Sequence, residues 1–492
     1  MSSITPENVR DTIQPMLIDA VSATKPSAND AMSNAIAQFL SFIERKLDVL
    51  VVRDGRIHLE DRQMAGALAL GKLLLDKGII SRFFRNQQLP DEPRMYSWSA
   101  ICNNPSNHQT GGSTWSSDAD ALYAALAEAL ERYIWFMKDD YFIDRTLATV
   151  DEIAAKGAVI PPLRFSGYSE AQRAEHARRT ITPDSKFTWI QGHSLVSNAP
   201  VYVPAQVVSG ISSEYYTRGP AEPLIRPPIT NGLATWMTEA GARCAGANEI
   251  LEREAYIVMW LNQLTLPRIA LEPLAAKDPA LAKLMASCKR YGIKMHAIRL
   301  LTDAPTYAVA VVLEDEFGHA PRFTIGLRAH RSLTSAILKA AGETFRARRG
   351  HRYWTRSNAW DPATPARDVG HRDRLYYWGV HEHAKRLEFL IAGPEIDAKT
   401  EAWDDESEEE QLERIIAWCR SKNYEFVTVS LGTSQTNPTP LHIEMTVMPD
   451  LQWTYLSETT QAFGGTRWKE IPSLFGYDAR STPFADAPHP FS

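Results

Sequence analysis

The chain is 492 residues long, 44% hydrophobic and 23% charged, with 13 Trp, 17 Tyr and 17 Phe, which excludes both a small stapled scaffold and a globally disordered chain. Lys plus Arg number 53 against 59 Asp plus Glu, a net charge of −6, so the basic footprint of a dedicated nucleic-acid binder is missing. Cys102, Cys244, Cys288 and Cys419 stand far apart with no C-x-x-C pair, which points to neither a zinc site nor a disulfide framework and suits a reducing compartment.

The first residues, MSSITPENVRDTIQPML, carry Glu7 and Asp11 and lack the basic-then-apolar order of a secretory signal. Residues 1–74 read as a small, mostly helical N-terminal region. Met32, Ile36, Phe39, Leu40 and Ile43 recur there at helical spacing before a strand-like run from Val49 to Val52. The most apolar stretch, AGALALGKLLL, is interrupted by Lys72 and falls far short of the ~20 residues a membrane span needs. The expectation is a cytoplasmic protein with no membrane or nucleic-acid partner.

Residues 75–492 form the second region. GIISRFFRN and MYSWSAI predict two strands joined by the loop Leu89 to Pro93, and a long helix follows. Further strand signals are FTWI (187–190), VYVPAQVV (201–208), TYAVAVVL (306–313), RFTIGL (322–327), FVTVSL (426–431) and HIEMTVM (442–448). Helices fall between some of these and not after each one, which argues for an α+β fold over a doubly wound parallel sheet. The acidic run from Asp404 to Glu410 precedes an amphipathic helix, where carboxylates complement the helix dipole. His381 and His383 are two apart in a helical setting and make poor paired metal ligands. The glycine-rich nucleotide loops, H-E-x-x-H and G-x-S-x-G are all missing.

One pattern recurs. Glu128-Ala-Leu-Glu131-Arg132 and Glu249-Ile-Leu-Glu252-Arg253 share E-x-L-E-R on two long helices. The stripe Leu122, Ala125, Leu126, Ala129, Leu130 and Tyr133 predicts the packing face of the first helix, and Ala240, Cys244, Ala247, Ile250, Leu251 and Val258 that of the second. The glutamates fall off both stripes. A third helix, from about Ser332 to Arg348, is expected to bury Thr334, Leu338, Ala341 and Phe345 and to leave Glu343 on its far side. Glutamates three apart on one face repel one another, whereas a hard divalent cation such as Mg²⁺ seeks oxygen ligands.

These stretches resemble the YcaO family, whose members use ATP to activate backbone amides. The resemblance is carried by GGSTWSSDADALYAALAEALERY (111–133), ITNGLATWMTEAGARCAGANEILEREA (229–255), RSLTSAILKAAGETFRARRG (331–350) and the terminal PHPFS (488–492). It implies a YcaO-like α+β fold of mixed, largely antiparallel sheets with long glutamate-bearing helices. It also implies that Glu128, Glu131, Asn231, Glu249, Glu252, Arg253, Glu343 and Arg346 surround ATP, with Mg²⁺ on Glu128, Glu131, Glu249 and Glu252. In the azoline-forming branch a proline-rich C-terminus enters the active site, so Pro490 and Ser492 are the implied catalytic positions, with the Ser492 carboxylate as base. Three positions depart from the family's usual residues: Ala124 stands for Ser, Arg346 for Gln and Met237 for Asn.

The function implied is cyclodehydration of Cys, Ser or Thr in a ribosomally synthesised precursor peptide (RiPP biosynthesis). Thioamide or amidine formation and a non-catalytic scaffold in a peptide-modifying complex are the alternatives. The implied partners are the precursor peptide, a separate leader-binding protein of E1-like or RiPP-recognition type, a flavin-dependent azoline dehydrogenase and a second copy of the chain in a homodimer.

Overall fold

The computed structural model of the chain describes residues 50–53, 56–59, 62–104, 108–136, 145–210, 222–354, 361, 364–370, 373–401, 403–432 and 436–491. The chain divides into two compact units, Met1–Lys72 and Leu73–Ser492. In the first, β1 (Leu50–Arg53) pairs antiparallel with β2 (Arg56–Leu59), and helix α1 (Arg62–Asp76) begins there and crosses the boundary. The strand expected over Val49 to Val52 is found at Leu50–Arg53. The helical spacing of Met32 to Ile43 lies outside the described residues.

The second unit opens with β3 (Ile80–Arg85), β4 (Tyr96–Cys102) and β5 (Gln109–Thr114), followed by helix α2 (Asp118–Trp135). Ser117 caps that helix by accepting the Asp120 N–H, and Asp118 and Asp120 place negative charge on its first turn. The chain continues through β6 (Thr146–Ala148), β7 (Phe187–Ser194), β8 (Ala199–Pro204) and β9 (Leu233–Trp236) into the 24-residue helix α3 (Glu239–Asn262), capped by Thr238. Then come β10 (Arg268–Ile269), helix α4 (Pro279–Arg290), β11 (Ile293–Arg299), β12 (Tyr307–Asp315), β13 (Phe323–His330) and helix α5 (Leu333–Trp354). The last elements are β14 (Glu395–Ile396), helix α6 (Glu408–Lys422), β15 (Val427–Ser430), β16 (His442–Val447) and helix α7 (Arg467–Leu474).

Three sheets result: β3-β4-β5, β13-β12-β11-β10-β14, and β6-β7-β15-β16-β9 with β8 paired to β7. Every pairing is antiparallel except β10 with β14. Mixed helices and largely antiparallel sheets are the fold class expected from the sequence. The strand expected over 201–208 stops at Pro204, and Ala205–Val207 form a turn of 3₁₀ helix instead. Capping of α6 by Ser407 and Glu410 accounts for the acidic run, whose Glu408 and Glu409 lie in the first turn.

Helices lie unusually close to their strands. A Cβ on Gly112 of β5 would sit 1.9 Å from the Ala121 carbonyl oxygen of α2, and one on Gly326 of β13 would sit 2.3 Å from the Ala340 carbonyl oxygen of α5. On Gly246 of α3 it would sit 2.4 Å from the carbonyl oxygen of Gly232. This approach turns α5 slightly from the expected face: Leu333, Ala336, Ile337 and Ala340 are buried, while Thr334 and Leu338 are only half-buried. In α2 the stripe ends on Ile134 and Trp135, and Tyr133 is half-buried. The second half of α3, from Glu254 to Asn262, is buried all round. Tyr256, Val258, Trp260 and Leu261 share a core there with Ala310, Val312, Ile325 and Leu327 of β12 and β13. Among the described residues, no helix is long and apolar enough to cross a membrane.

Candidate functional site

Each of the helices α2, α3 and α5 follows a strand and returns a glutamate to the backbone at that strand. Glu128 Oε2 accepts the Gly111 N–H at 3.0 Å, Glu249 Oε2 accepts the Gly232 N–H at 3.0 Å, and Glu343 Oε2 accepts the Leu327 N–H at 2.7 Å. The separations in sequence are 17, 17 and 16 residues, so one strand–turn–helix device is used three times. Glu252 Oε2 likewise accepts the Ala329 N–H at 3.1 Å. A carboxylate fixed through one oxygen by a backbone donor presents the other in a set direction.

The second oxygens gather on arginines. Arg253 Nε is 3.2 Å from Glu252 Oε1, and its Nη2 is 3.5 Å from Glu249 Oε1 and 3.9 Å from Glu343 Oε1. Arg132 Nη2 lies 3.7 Å from Glu128 and 3.8 Å from Glu131. Arg346 closes the arrangement: its Nη1 donates to the Gly111 carbonyl at 2.7 Å while Nη2 is 3.7 Å from Glu343. All three positions that depart from the family's usual residues, Ala124, Met237 and Arg346, are exposed, and Arg346 joins the site through these contacts.

Ordinary helix patterning suggests a solvent-facing side for these glutamates, whereas Glu128, Glu249 and Glu343 are half-buried. Glu131 and Glu252 are buried. Burial first, and then the nearby charges of Glu128 and Glu249, push the Glu131 carboxyl up to about 8 against the opposing pull of Arg132. Burial, Glu343 and Glu249 likewise raise Glu252, although Arg253 and Arg328 favour its charged form. Burial works against the charge on Arg253, but Glu252, Glu343 and Glu249 outweigh it and hold the guanidinium more basic than usual.

Five carboxylates facing three arginines suit a hard cation whose shell is completed by phosphate oxygens, because Mg²⁺ ordinarily takes only one or two protein carboxylates alongside phosphates and water. As they stand, no three metal-ligating side chains among the described residues are close enough to enclose an ion by themselves. The donor set thus fits Mg²⁺ together with a nucleotide better than a free-standing metal centre. Asn231 adjoins the Gly232 anchor, but its side chain lines a small cavity with Arg226, Thr446 and Gln452 whose walls include none of the glutamates. Its Oδ1 is buried there without a hydrogen-bond partner.

The C-terminal residues run inward. Ala487, His489 and Phe491 are buried, and the Phe491 ring lies 4.0 Å from the Arg253 guanidinium, a cation–π contact on the arginine that joins the glutamates. Pro490 lines a mostly apolar cavity with Phe323, Trp378, Leu387 and Leu390. Ser492 lies outside the described residues. Sequence reasoning named Pro490 and passed over Phe491; its aromatic ring beside two prolines was the available signal. It also missed Arg328, whose buried Nε lacks a partner and whose charge acts on Glu252. His383 stacks on Tyr377 with ring centres 4.0 Å apart, and its Nδ1 lies 2.9 Å from the Tyr377 carbonyl oxygen.

Solved structures share the fold at low identity. A heterocyclase in complex with substrate and cofactor matches with a TM-score of 0.66 at 15% identity, over 98% of this chain and 73% of its own. YcaO from Methanopyrus kandleri, bound with AMPPCP and Mg²⁺, matches with a TM-score of 0.54 at 16% identity, over 82% of this chain and 95% of its own. The E. coli microcin synthetase McbBCD complex gives 0.52 at 14%, over 75% and 88%. No curated protein matches the chain. The family model described as YcaO cyclodehydratase, ATP- and Mg²⁺-binding, matches residues 114–452, more than half of the sequence, and the chain belongs to the YcaO family.

Proposed function

We propose that the chain is an ATP-dependent peptide cyclodehydratase that closes Cys, Ser or Thr residues of a ribosomally made precursor into azolines. The observation that carries this reading is the gathering of the α3 and α5 glutamates around Arg253, with Glu131 of α2 beside Glu249 and the Phe491 ring on the same guanidinium. When bound, Mg-ATP supplies the phosphoryl group that turns an amide oxygen into a leaving group. Glu128, Glu131, Glu249 and Glu252 would hold the metal and Arg253 and Arg346 would attend the nucleotide, with Asn231 joining them only if its side chain turns from the cavity it shares with Arg226, Thr446 and Gln452. Because their outer oxygens are tied to backbone N–H groups, Glu128, Glu249 and Glu252 keep their direction with the charge balance changed.

In the reaction the side-chain sulfur or oxygen bonds to the preceding carbonyl carbon and gives up its proton to a base carried by the proline-rich tail, the role we assign to the segment from Pro490 to Ser492. The carbonyl oxygen leaves as phosphate and the amide nitrogen loses its proton, so each ring costs the peptide one water and converts one ATP to ADP and phosphate. Pro488 and Pro490 stiffen the approach of that terminus. We further propose that residues 1–74 are a region separate from the catalytic domain that follows. A separate leader-binding protein, a flavin-dependent azoline dehydrogenase and a second copy of the chain complete the proposed assembly. The relation to a microcin synthetase complex in fold supports a multi-protein setting.

The test is a chain lacking residues 488–492, incubated with precursor peptide, partner, ATP and Mg²⁺ and followed by intact peptide mass. Ring formation is expected to vanish while ATP binding stays within about twofold of the full-length value, since the tail contributes little to ground-state nucleotide contacts. Rings formed at the full-length rate contradict the assignment. A peptide that gains mass by exchange of oxygen for sulfur moves the function to thioamide formation.

A further inference from the structure

We propose that Arg374, paired with Glu458, is a positioning residue that holds the last residues of the chain against Arg253; its link to turnover rests on the tail's proposed role in ring formation. Arg374 opens the short helix Arg374–Gly379 and is wholly buried. Its Nη2 donates to Glu458 Oε1 at 2.9 Å, and its Nη1 is 3.2 Å from the Phe491 carbonyl oxygen and 3.3 Å from His489 Nδ1. One planar fork therefore spans a buried carboxylate on one side and two points of the tail on the other, a geometry open to arginine and closed to lysine.

The remaining tail contacts share this direction. Trp378 Nε1 donates to the Pro488 carbonyl at 3.1 Å, and the Phe491 N–H donates to the Tyr256 hydroxyl at 3.3 Å. His489 Nε2 lies 2.8 Å from the Tyr455 carbonyl oxygen. That carbonyl only accepts, so Nε2 carries the ring proton and Nδ1 is left as the acceptor for Arg374. The His489 ring meets Tyr256 and Tyr455 edge-on, at 5.6 and 5.2 Å between centres.

A buried ion pair adds little to stability compared with apolar packing, so its value here lies in direction. It fixes where the Phe491 carbonyl sits, and thereby where the ring meets Arg253. A continuous line of contacts runs from Glu458 through Arg374 and Phe491 to Arg253 and the glutamates.

Two full-length variants test this. Arg374→Lys keeps a cation beside Glu458 but loses the fork, and His489→Ala leaves the Arg374–Glu458 pair whole, so a folding failure of the first does not remove the test. Hydrogen exchange followed by mass spectrometry is read on the peptide covering 484–492 and on α3. In both variants the terminal peptide is expected to exchange about tenfold faster, with α3 unchanged. The ring-forming kcat is expected to fall about tenfold, with the KM for ATP within about twofold. Unchanged exchange of the terminal peptide in both variants overturns the proposal whatever the activity. Faster exchange with kcat intact overturns the positioning role. A wild-type chain that forms no ring defeats the proposed function instead, and the exchange comparison still decides whether Arg374 holds the tail.

Discussion

Glu131 is buried beside Glu128 and Glu249, with Arg132 as its compensating charge, and its carboxyl is pushed up to about 8. A raised acid binds its proton more tightly in the folded chain than in the unfolded one. The folded protein therefore loses stability as pH rises from about 4.5 to about 8, by on the order of 3 kcal/mol at pH 7. Replacing Glu131 with Gln removes that titration. The Glu131→Gln variant without nucleotide is expected to melt higher than wild type at pH 8 and to differ little at pH 4.5, as read by thermal unfolding across pH. Equal melting temperatures at pH 8 would show that the carboxyl titrates normally. The repeated E-x-L-E-R made this residue legible in the sequence; its burial was not, because patterning along one helix cannot reveal that the distant strand β9 packs against it and brings Thr235 to Glu131.

At the scale of elements, the site is a strand–turn–helix device used three times, each strand lending an N–H to a glutamate 16 or 17 residues on. Backbone donors leave no side-chain trace, so the sequence showed the glutamates and not their anchors. The glycines at these contacts were visible, but only the three-dimensional approach explains them. In Gly112→Ala the new Cβ would press on the Ala121 carbonyl oxygen and the Ala125 nitrogen, at 1.9 and 2.6 Å. The helix must move off its strand, costing about 1–3 kcal/mol of stability and shifting Glu128 from Gly111. Chemical denaturation should show that loss, and calorimetry should show weaker Mg-nucleotide binding than in wild type. A variant of normal stability and affinity would mean that the close contact between β5 and α2 does not set the glutamate.

For the whole molecule, the α+β class followed from strands and helices alternating without a parallel repeat, and most strands fall where β-branched runs put them. The tail was harder to read. By composition Pro488 to Phe491 would be a loose end, yet Ala487, His489 and Phe491 are buried and the segment is held by Trp378, Tyr455, Tyr256 and Arg374, 34 to 235 positions away. Local sequence carries no record of such distant partners. The account turns on glutamates from three separate helices acting as one site for a magnesium nucleotide. Its most direct test is calorimetric titration of the full-length chain with a non-hydrolysable ATP analogue, with and without Mg²⁺, beside the Glu249→Gln variant. The expected result is Mg²⁺-dependent binding to the wild type, weakened more than about tenfold, or about 1.4 kcal/mol, in the variant. Binding that ignores both Mg²⁺ and the substitution, or no binding to the wild type, would contradict it.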